Sequence, residues 1–274
     1  TSNREVQLYF ADVGTYWIKK YHVDGWRLDV ANEISREFWR TFRKAVKTAD
    51  ADAVLIGEIW ENAQSWLKGD AFDSTMNYEF RRICMDYLTE EKPDGITAAY
   101  EFEKMRLRYP DNIVKGQLNL LDSHDVPRFL SMCHGESSLW KLGCILLMLM
   151  PGVPSLFYGD ECGVEGVLEE DYRQPMPWGK ERTFSDFICQ LIMIRNNYID
   201  EKTDYRPIWE LIRGGVFAFA RTGLNGTLRV IINAGMEPLC CPISEGEKMV
   251  MSSGTDGEED TIERKGYRIT LSNK

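Results

Sequence analysis

Three acids stand out by what surrounds them. Asp29 closes Asp24-Gly25-Trp26-Arg27-Leu28-Asp29, Glu58 lies in Gly57-Glu58-Ile59-Trp60, and Asp125 closes Ser123-His124-Asp125. Each sits at or just past the end of a short apolar run. Two carboxyl groups facing one another suit the cleavage of a glycosidic bond, one attacking while the other gives and takes a proton. A third can steady the positive charge that develops on the sugar. Arg27 lies two residues before Asp29, so in a strand both side chains share a face, and a cation there favours an ionised nucleophile. Glu58 is the candidate acid/base and must hold a proton when substrate binds.

Each fragment taken alone has an ordinary structural reading. Arg-x-Asp is a common ion pair, a Gly-Glu step often caps a helix, and an Asp beside Ser or His is often a helix N-cap. The three together, each behind a strand-like run, favour catalysis. Trp60 can exclude water or stack on a sugar ring. Asn32 and Glu33 follow Asp29 within a turn and can touch the substrate, with Asn32 also a candidate cap. Arg128 reads equally as a substrate ligand or an ion-pair partner.

The elements that carry these residues alternate. Helical spacing covers Val6 to Lys20, and Glu37 to Thr48 places Phe38, Trp39, Phe42 and Val46 on one face. Further helices are expected at Tyr78 to Leu88, Ile96 to Arg108, Leu139 to Met150 and Phe184 to Tyr198. Strands are expected at Gly25 to Val30, Ala53 to Ile56, Phe72 to Met76, Gln117 to Leu121 and Ser155 to Tyr158. Strand–helix alternation implies parallel βαβ units, an α/β fold. Five strands are too few for a closed (β/α)8 barrel, whose active residues gather at the C-terminal ends of its strands. After about residue 203 the pattern changes to short strands. Val216 to Ala220, Leu228 to Ile232, Lys248 to Met251 and Tyr267 to Leu271 are separated by Gly214-Gly215, Asn225-Gly226, Gly254 and Gly266. Residues 1–202 thus read as part of a barrel and 203–274 as an antiparallel β domain, a small sandwich. Asp256 to Asp260 reads as an exposed loop.

These segments resemble the α-amylase family of glycoside hydrolases, most closely its cyclomaltodextrinase, neopullulanase and maltogenic amylase subgroup. The subgroup likeness rests on Asp29-Val30-Ala31-Asn32-Glu33, where other α-amylases usually carry Lys-His in place of Asn32-Glu33. It rests also on Trp66-Leu67-Lys68-Gly69-Asp70, Met76-Asn77-Tyr78, His124-Asp125-Val126-Pro127-Arg128, Pro151-Gly152-Val153-Pro154, Tyr158-Gly159-Asp160-Glu161 and Met176-Pro177-Trp178. The resemblance runs from about residue 5 to about residue 235. It implies catalytic roles for Asp29, Glu58 and Asp125, and sugar contacts for Arg27, His124, Asn32, Glu33, Trp60 and Arg128. It implies an α-glucan oligosaccharide substrate and no cofactor. It also implies that the five strands are the fourth through eighth of a barrel, with the first three and the family's calcium ligands outside this chain. A transglycosylase and a non-catalytic sugar- or partner-binding module are the alternatives. An incomplete barrel should turn over little by itself and should pair with itself or with the missing part.

Bulk properties agree with this reading. The chain has 274 residues, 43% of them hydrophobic, and a net charge of −10. A nucleic-acid backbone would be repelled and a neutral glucan would not. The longest apolar run, Cys144 to Met150 before Pro151, is too short to span a bilayer. Seven cysteines without a Cys-x-x-Cys spacing indicate neither a zinc site nor a disulfide framework. Scattered thiols fit a reducing compartment, so a cytoplasmic location is expected.

Overall fold

In a computed structural model of the chain, residues 1–179, 181–253 and 260–273 are described. In chain order the elements are α1 (Arg4–Tyr21), β1 (Gly25–Leu28), α2 (Arg36–Ala49), β2 (Val54–Gly57), β3 (Ser74–Asn77), α3 (Tyr78–Leu88), α4 (Gly95–Leu107), α5 (Asp111–Gly116) and β4 (Leu118–Leu120). Then come α6 (Phe129–Met132), α7 (Ser137–Leu149), β5 (Val153–Ser155), α8 (Glu169–Tyr172) and α9 (Ser185–Tyr198). The remainder is β6 (Asp204–Pro207), β7 (Val216–Gly223), β8 (Gly226–Asn233), β9 (Leu239–Cys240), β10 (Glu247–Ser252), β11 (Thr261–Ile262) and β12 (Gly266–Ser272). Two compact units are formed, one from residues 1–79 and 106–119, the other from 80–105 and 120–274.

In the first unit, β1, β2, β3 and β4 lie side by side in that order, all parallel. The helix α1 starts at Asn3, whose side chain accepts the amides of Glu5 and Val6, and α2 starts at Ser35, which accepts the amide of Phe38. The expected apolar face of α2 is buried as Phe38, Trp39, Phe42 and Val46, against Ile18 of α1 and Leu55 and Phe72 beneath. Full burial of such a side chain contributes about 1.5–3 kcal/mol. Gly25 lets β1 approach β2, since a Cβ there would stand 2.1 Å from the Val54 carbonyl oxygen.

In the second unit, β6, β7, β8, β12 and β10 form an antiparallel sheet in the order β10-β12-β8-β7-β6, and β9 pairs with β11. The four strands expected after residue 203 all form. The edge strand β6 was not legible because it is short, polar and ends on Pro207, which is tolerated at an edge. The core of this unit joins α7 (Leu142, Ile145, Leu146, Leu149) to Phe217, Phe219, Val230 and Ile269 of the sheet. The strand expected at Ser155 to Tyr158 lies instead at Val153–Ser155. The Phe157 amide donates to Asp160 and the Tyr158 carbonyl accepts from Arg128, so side chains have captured that backbone. Gly254 and Asp256 to Glu259 fall outside the described residues; Asp260 is exposed.

Candidate active site

Adjacent parallel strands deliver the first two acids together. Leu28 of β1 is opposite Gly57 of β2, and Asp29 and Glu58 are the next residues on each. The ladder continues past the strand ends, with the Glu58 amide on the Leu28 carbonyl at 2.8 Å and the Ala31 amide on the Glu58 carbonyl at 3.1 Å. Arg27 spans both acids: Nη1 lies 2.5 Å from Asp29 Oδ1 and Nη2 2.7 Å from Glu58 Oε1. Its Nε reaches Met76 Sδ on β3 at 3.4 Å, which fixes the guanidinium plane. The two carboxyl groups are unlike. The Asp29 side chain is 76% exposed, whereas that of Glu58 is 4% exposed.

A backbone anomaly accompanies this pair of acids. Val30 has φ 43° and ψ 44°, the left-handed region, which a β-branched residue enters only under constraint. That twist turns its N–H onto Glu58 Oε2 at 2.8 Å. A 3-10 turn, Ala31–Glu33, follows and is pinned by Trp39 Nε1 donating to the buried Ala31 carbonyl at 2.8 Å. Asn32 and Glu33 stand exposed on this turn. Asn32 is not its cap; Val30 holds that position, without a side-chain bond. Trp60 stacks on Tyr78, with ring centroids 3.8 Å apart and planes at 10°, and remains 47% exposed.

The second unit carries Asp125 and His124. Asp125 has its amide on Ser123 Oγ at 3.1 Å, a local turn rather than a helix cap. Its Oδ2 lies 3.0 Å from His124 Nε2 and its Oδ1 3.0 Å from Arg173 Nη2. Arg173 follows α8, lies 3.2 Å from Glu169, and was missed; its only signal was its place just before Met176-Pro177-Trp178. Arg128 resolves to the second of its two readings. It is completely buried, donates to the Tyr158 carbonyl at 2.6 Å and lies 3.3 Å from Asp160, so it cannot be a substrate ligand in this conformation. Asp122 and Asp160 were also missed. Burial pushes both carboxyl groups upward from the ordinary aspartate range. Among the described residues, no group of three or more His, Cys, Asp or Glu is placed to hold a metal ion, and no helix is long and apolar enough to cross a membrane.

Comparison with known proteins bears on both units. The cyclomaltodextrinase of Thermoanaerobacter pseudethanolicus is 36% identical over 269 residues, which covers 97% of this chain and 45% of that protein. Neopullulanase 2 of Thermoactinomyces vulgaris is 37% identical over 85% of this chain and 40% of its own length. The chain therefore spans less than half the length of these relatives. The crystal structure of the debranching enzyme from Nostoc punctiforme superposes with a TM-score of 0.88 at 29% identity, covering 98% of this chain and 62% of that one. The pattern described as alpha amylase, catalytic domain, matches residues 1–207. The chain thus belongs to the alpha-amylase family of glycoside hydrolases, whose fold is a (β/α)8 barrel followed by a C-terminal β domain.

Proposed function

We propose that the polypeptide carrying this segment is a retaining α-glucan hydrolase acting on α-1,4 links of maltodextrin, cyclodextrin or pullulan. The observation that carries the reading is the Arg27 guanidinium, shared by an exposed Asp29 and a buried Glu58 at 2.5 and 2.7 Å. Asp29 attacks the anomeric carbon while Glu58 protonates the departing glycosidic oxygen, giving a glycosyl–Asp29 ester. Glu58 then takes a proton from water, whose oxygen displaces Asp29 with net retention. Because Oε2 of Glu58 accepts the Val30 N–H, the transferable proton belongs on Oε1. Arg27 must release that oxygen and hold Asp29 alone when substrate arrives. Asp125 and His124 would bind sugar hydroxyls, with Asp125 countering charge on the sugar ring. Asn32, Glu33 and Trp60 would line the leaving-group side. A sugar hydroxyl in place of water gives transglycosylation by the same route.

The five strands β1 to β5 correspond, in this reading, to the fourth through eighth of the barrel, and residues 203–274 to the C-terminal domain. The isolated segment would then turn over little and associate with itself or with the rest of the barrel. The intracellular maltogenic amylase of Bacillus subtilis, 34% identical over 86% of this chain, supports an intracellular setting. The test is anomeric product analysis of maltodextrin hydrolysis by the whole polypeptide and its Asp29→Asn variant. Turnover should fall by orders of magnitude, because an amide cannot form the ester. Near-parental rates or inverted product would overturn the mechanism.

A further inference from the structure

A cleft of about 390 Å³ opens in the second unit between the start of α7 and the last strands of the antiparallel sheet. That size lies within the range of small-molecule sites. One wall is the first turn of α7. Glu136 holds the N-cap position without a side-chain bond, and among the described residues the amides of Ser137 and Ser138 have no partner. Lys141 lies one turn on from Ser137 and shares its face. The other wall is the turn formed by Glu263, Arg264 and Lys265 between β11 and β12, with Ser252 at the end of β10. Lys265 has a φ of 50°, and its ammonium pairs with the Glu136 carboxylate, which ties the turn to the helix start.

Two cations of the cleft are uncommitted. Among the described residues, the Arg264 side chain makes no hydrogen bond or ion pair, and the Lys141 ammonium only rests over the Phe187 ring, 5.5 Å from its centre. Against them stands Glu263, so the lining keeps an excess of positive charge in a chain whose net charge is −10. A buried hydroxyl is the independent sign of a ligand. Tyr267 is 6% exposed and packs edge-on against Phe187, with ring centroids 6.0 Å apart. It lines the cleft, and among the described residues its hydroxyl has no hydrogen-bond partner. A buried polar group left so calls for a bound partner. Burial pushes this phenol up to about 12, which keeps it a donor at neutral pH. Helix amides, ammonium, guanidinium and phenol are all donors, and arriving from two walls they suit an anion whose oxygens do not lie in one plane. We propose that this cleft binds a phosphoryl group, carried by a small phosphate monoester or free as inorganic phosphate, between the start of α7, Lys141, Arg264 and Tyr267. Phosphate offers three or more strong acceptor oxygens, and the volume leaves room for an attached group the size of a sugar. None of these residues serves the glucan reading, so the site is additional to it.

Isothermal titration calorimetry of the whole polypeptide with inorganic phosphate and with glucose 1-phosphate tests the site. Binding should saturate at one per chain. Arg264→Ala and Lys141→Gln should each weaken it by about tenfold, the loss of one charge-assisted hydrogen bond. Tyr267→Phe keeps the ring against Phe187 and should weaken it by about threefold, the loss of a neutral one. Glu263→Gln should tighten it by removing the opposing charge, a gain that damage to the fold does not produce. Tighter binding of glucose 1-phosphate than of phosphate identifies a phosphate monoester as the ligand, and equal affinities identify the free anion. No saturable binding of either probe would overturn the site, as would affinities unchanged in both Arg264→Ala and Lys141→Gln. Turnover does not enter the measurement, so the outcome is separate from that of the hydrolase reading.

Discussion

At Val30 the usual order of alanine and glycine should be inverted. An L-residue in the left-handed region costs about 1–2 kcal/mol, a penalty glycine escapes. Glycine in turn loses about 0.5–1 kcal/mol more backbone entropy than alanine on folding. Val30→Ala and Val30→Gly remove nearly the same apolar packing from a side chain already 42% exposed, so that term cancels between them. What remains at φ 43° and ψ 44° favours Gly over Ala by about 0.5–1 kcal/mol, where an ordinary strand or helix position would favour Ala by as much. For a chain of this size about 1 kcal/mol moves the melting temperature by about 2–4 °C. Urea titrations and thermal scans of the two variants side by side provide the measurement. Val30→Ala equal to or more stable than Val30→Gly would mean that the residue is not held left-handed. The reason for its N–H pointing at Glu58 would go with it.

Gly95→Ala should destabilise the second unit by about 1–3 kcal/mol in urea titration, since its Cβ would sit 1.9 Å from the Val216 carbonyl oxygen and disturb the Gly95 amide bond to Gly214 at 2.6 Å; an unchanged midpoint would refute that close approach. Burial raises Asp73, but the Leu55 amide, Lys47 and Arg43 outweigh it and leave the carboxyl below the ordinary aspartate range. A depressed folded pKa contributes stability above the unfolded value of about 3.9, and that contribution is lost as pH falls through the folded value. Melting temperature should therefore drop on acidification between about pH 5 and pH 1, and less steeply in Asp73→Asn.

What the sequence revealed and concealed follows from the forces involved. The α2 helix was legible because Phe38, Trp39, Phe42 and Val46 repeat at helical spacing and their burial is non-directional. The Asp29–Glu58 pairing was legible because both acids end apolar strand runs, and neighbouring parallel strands align such ends. Val30 was not, because a β-branched residue after a strand reads as more strand; only the Glu58 carboxylate and the pinned Ala31 turn hold it otherwise. Asp122 was hidden because an isolated acid reads as a cap or loop charge, and Asp160, though inside the quoted Tyr158-Gly159-Asp160-Glu161 segment, was given no role because its burial beside Arg128 is a tertiary contact. The same contacts shifted β5 away from the apolar Leu156-Phe157-Tyr158 run.

Neither compact unit is a single stretch of chain: the polypeptide passes between them after residues 79, 105 and 119. During synthesis the first unit cannot be finished until residue 119 has left the ribosome, and by then the second has already begun. The start of α4 waits longer still, because the Gly95 amide bonds to Gly214 and the helix's first residue abuts Val216. Most of the chain must therefore emerge before the segment between the two acid-bearing halves is anchored. The same interleaving constrains inheritance. A single recombination break at any of the three crossings leaves at least one unit with halves from different parents, so the units should descend together rather than be exchanged as modules.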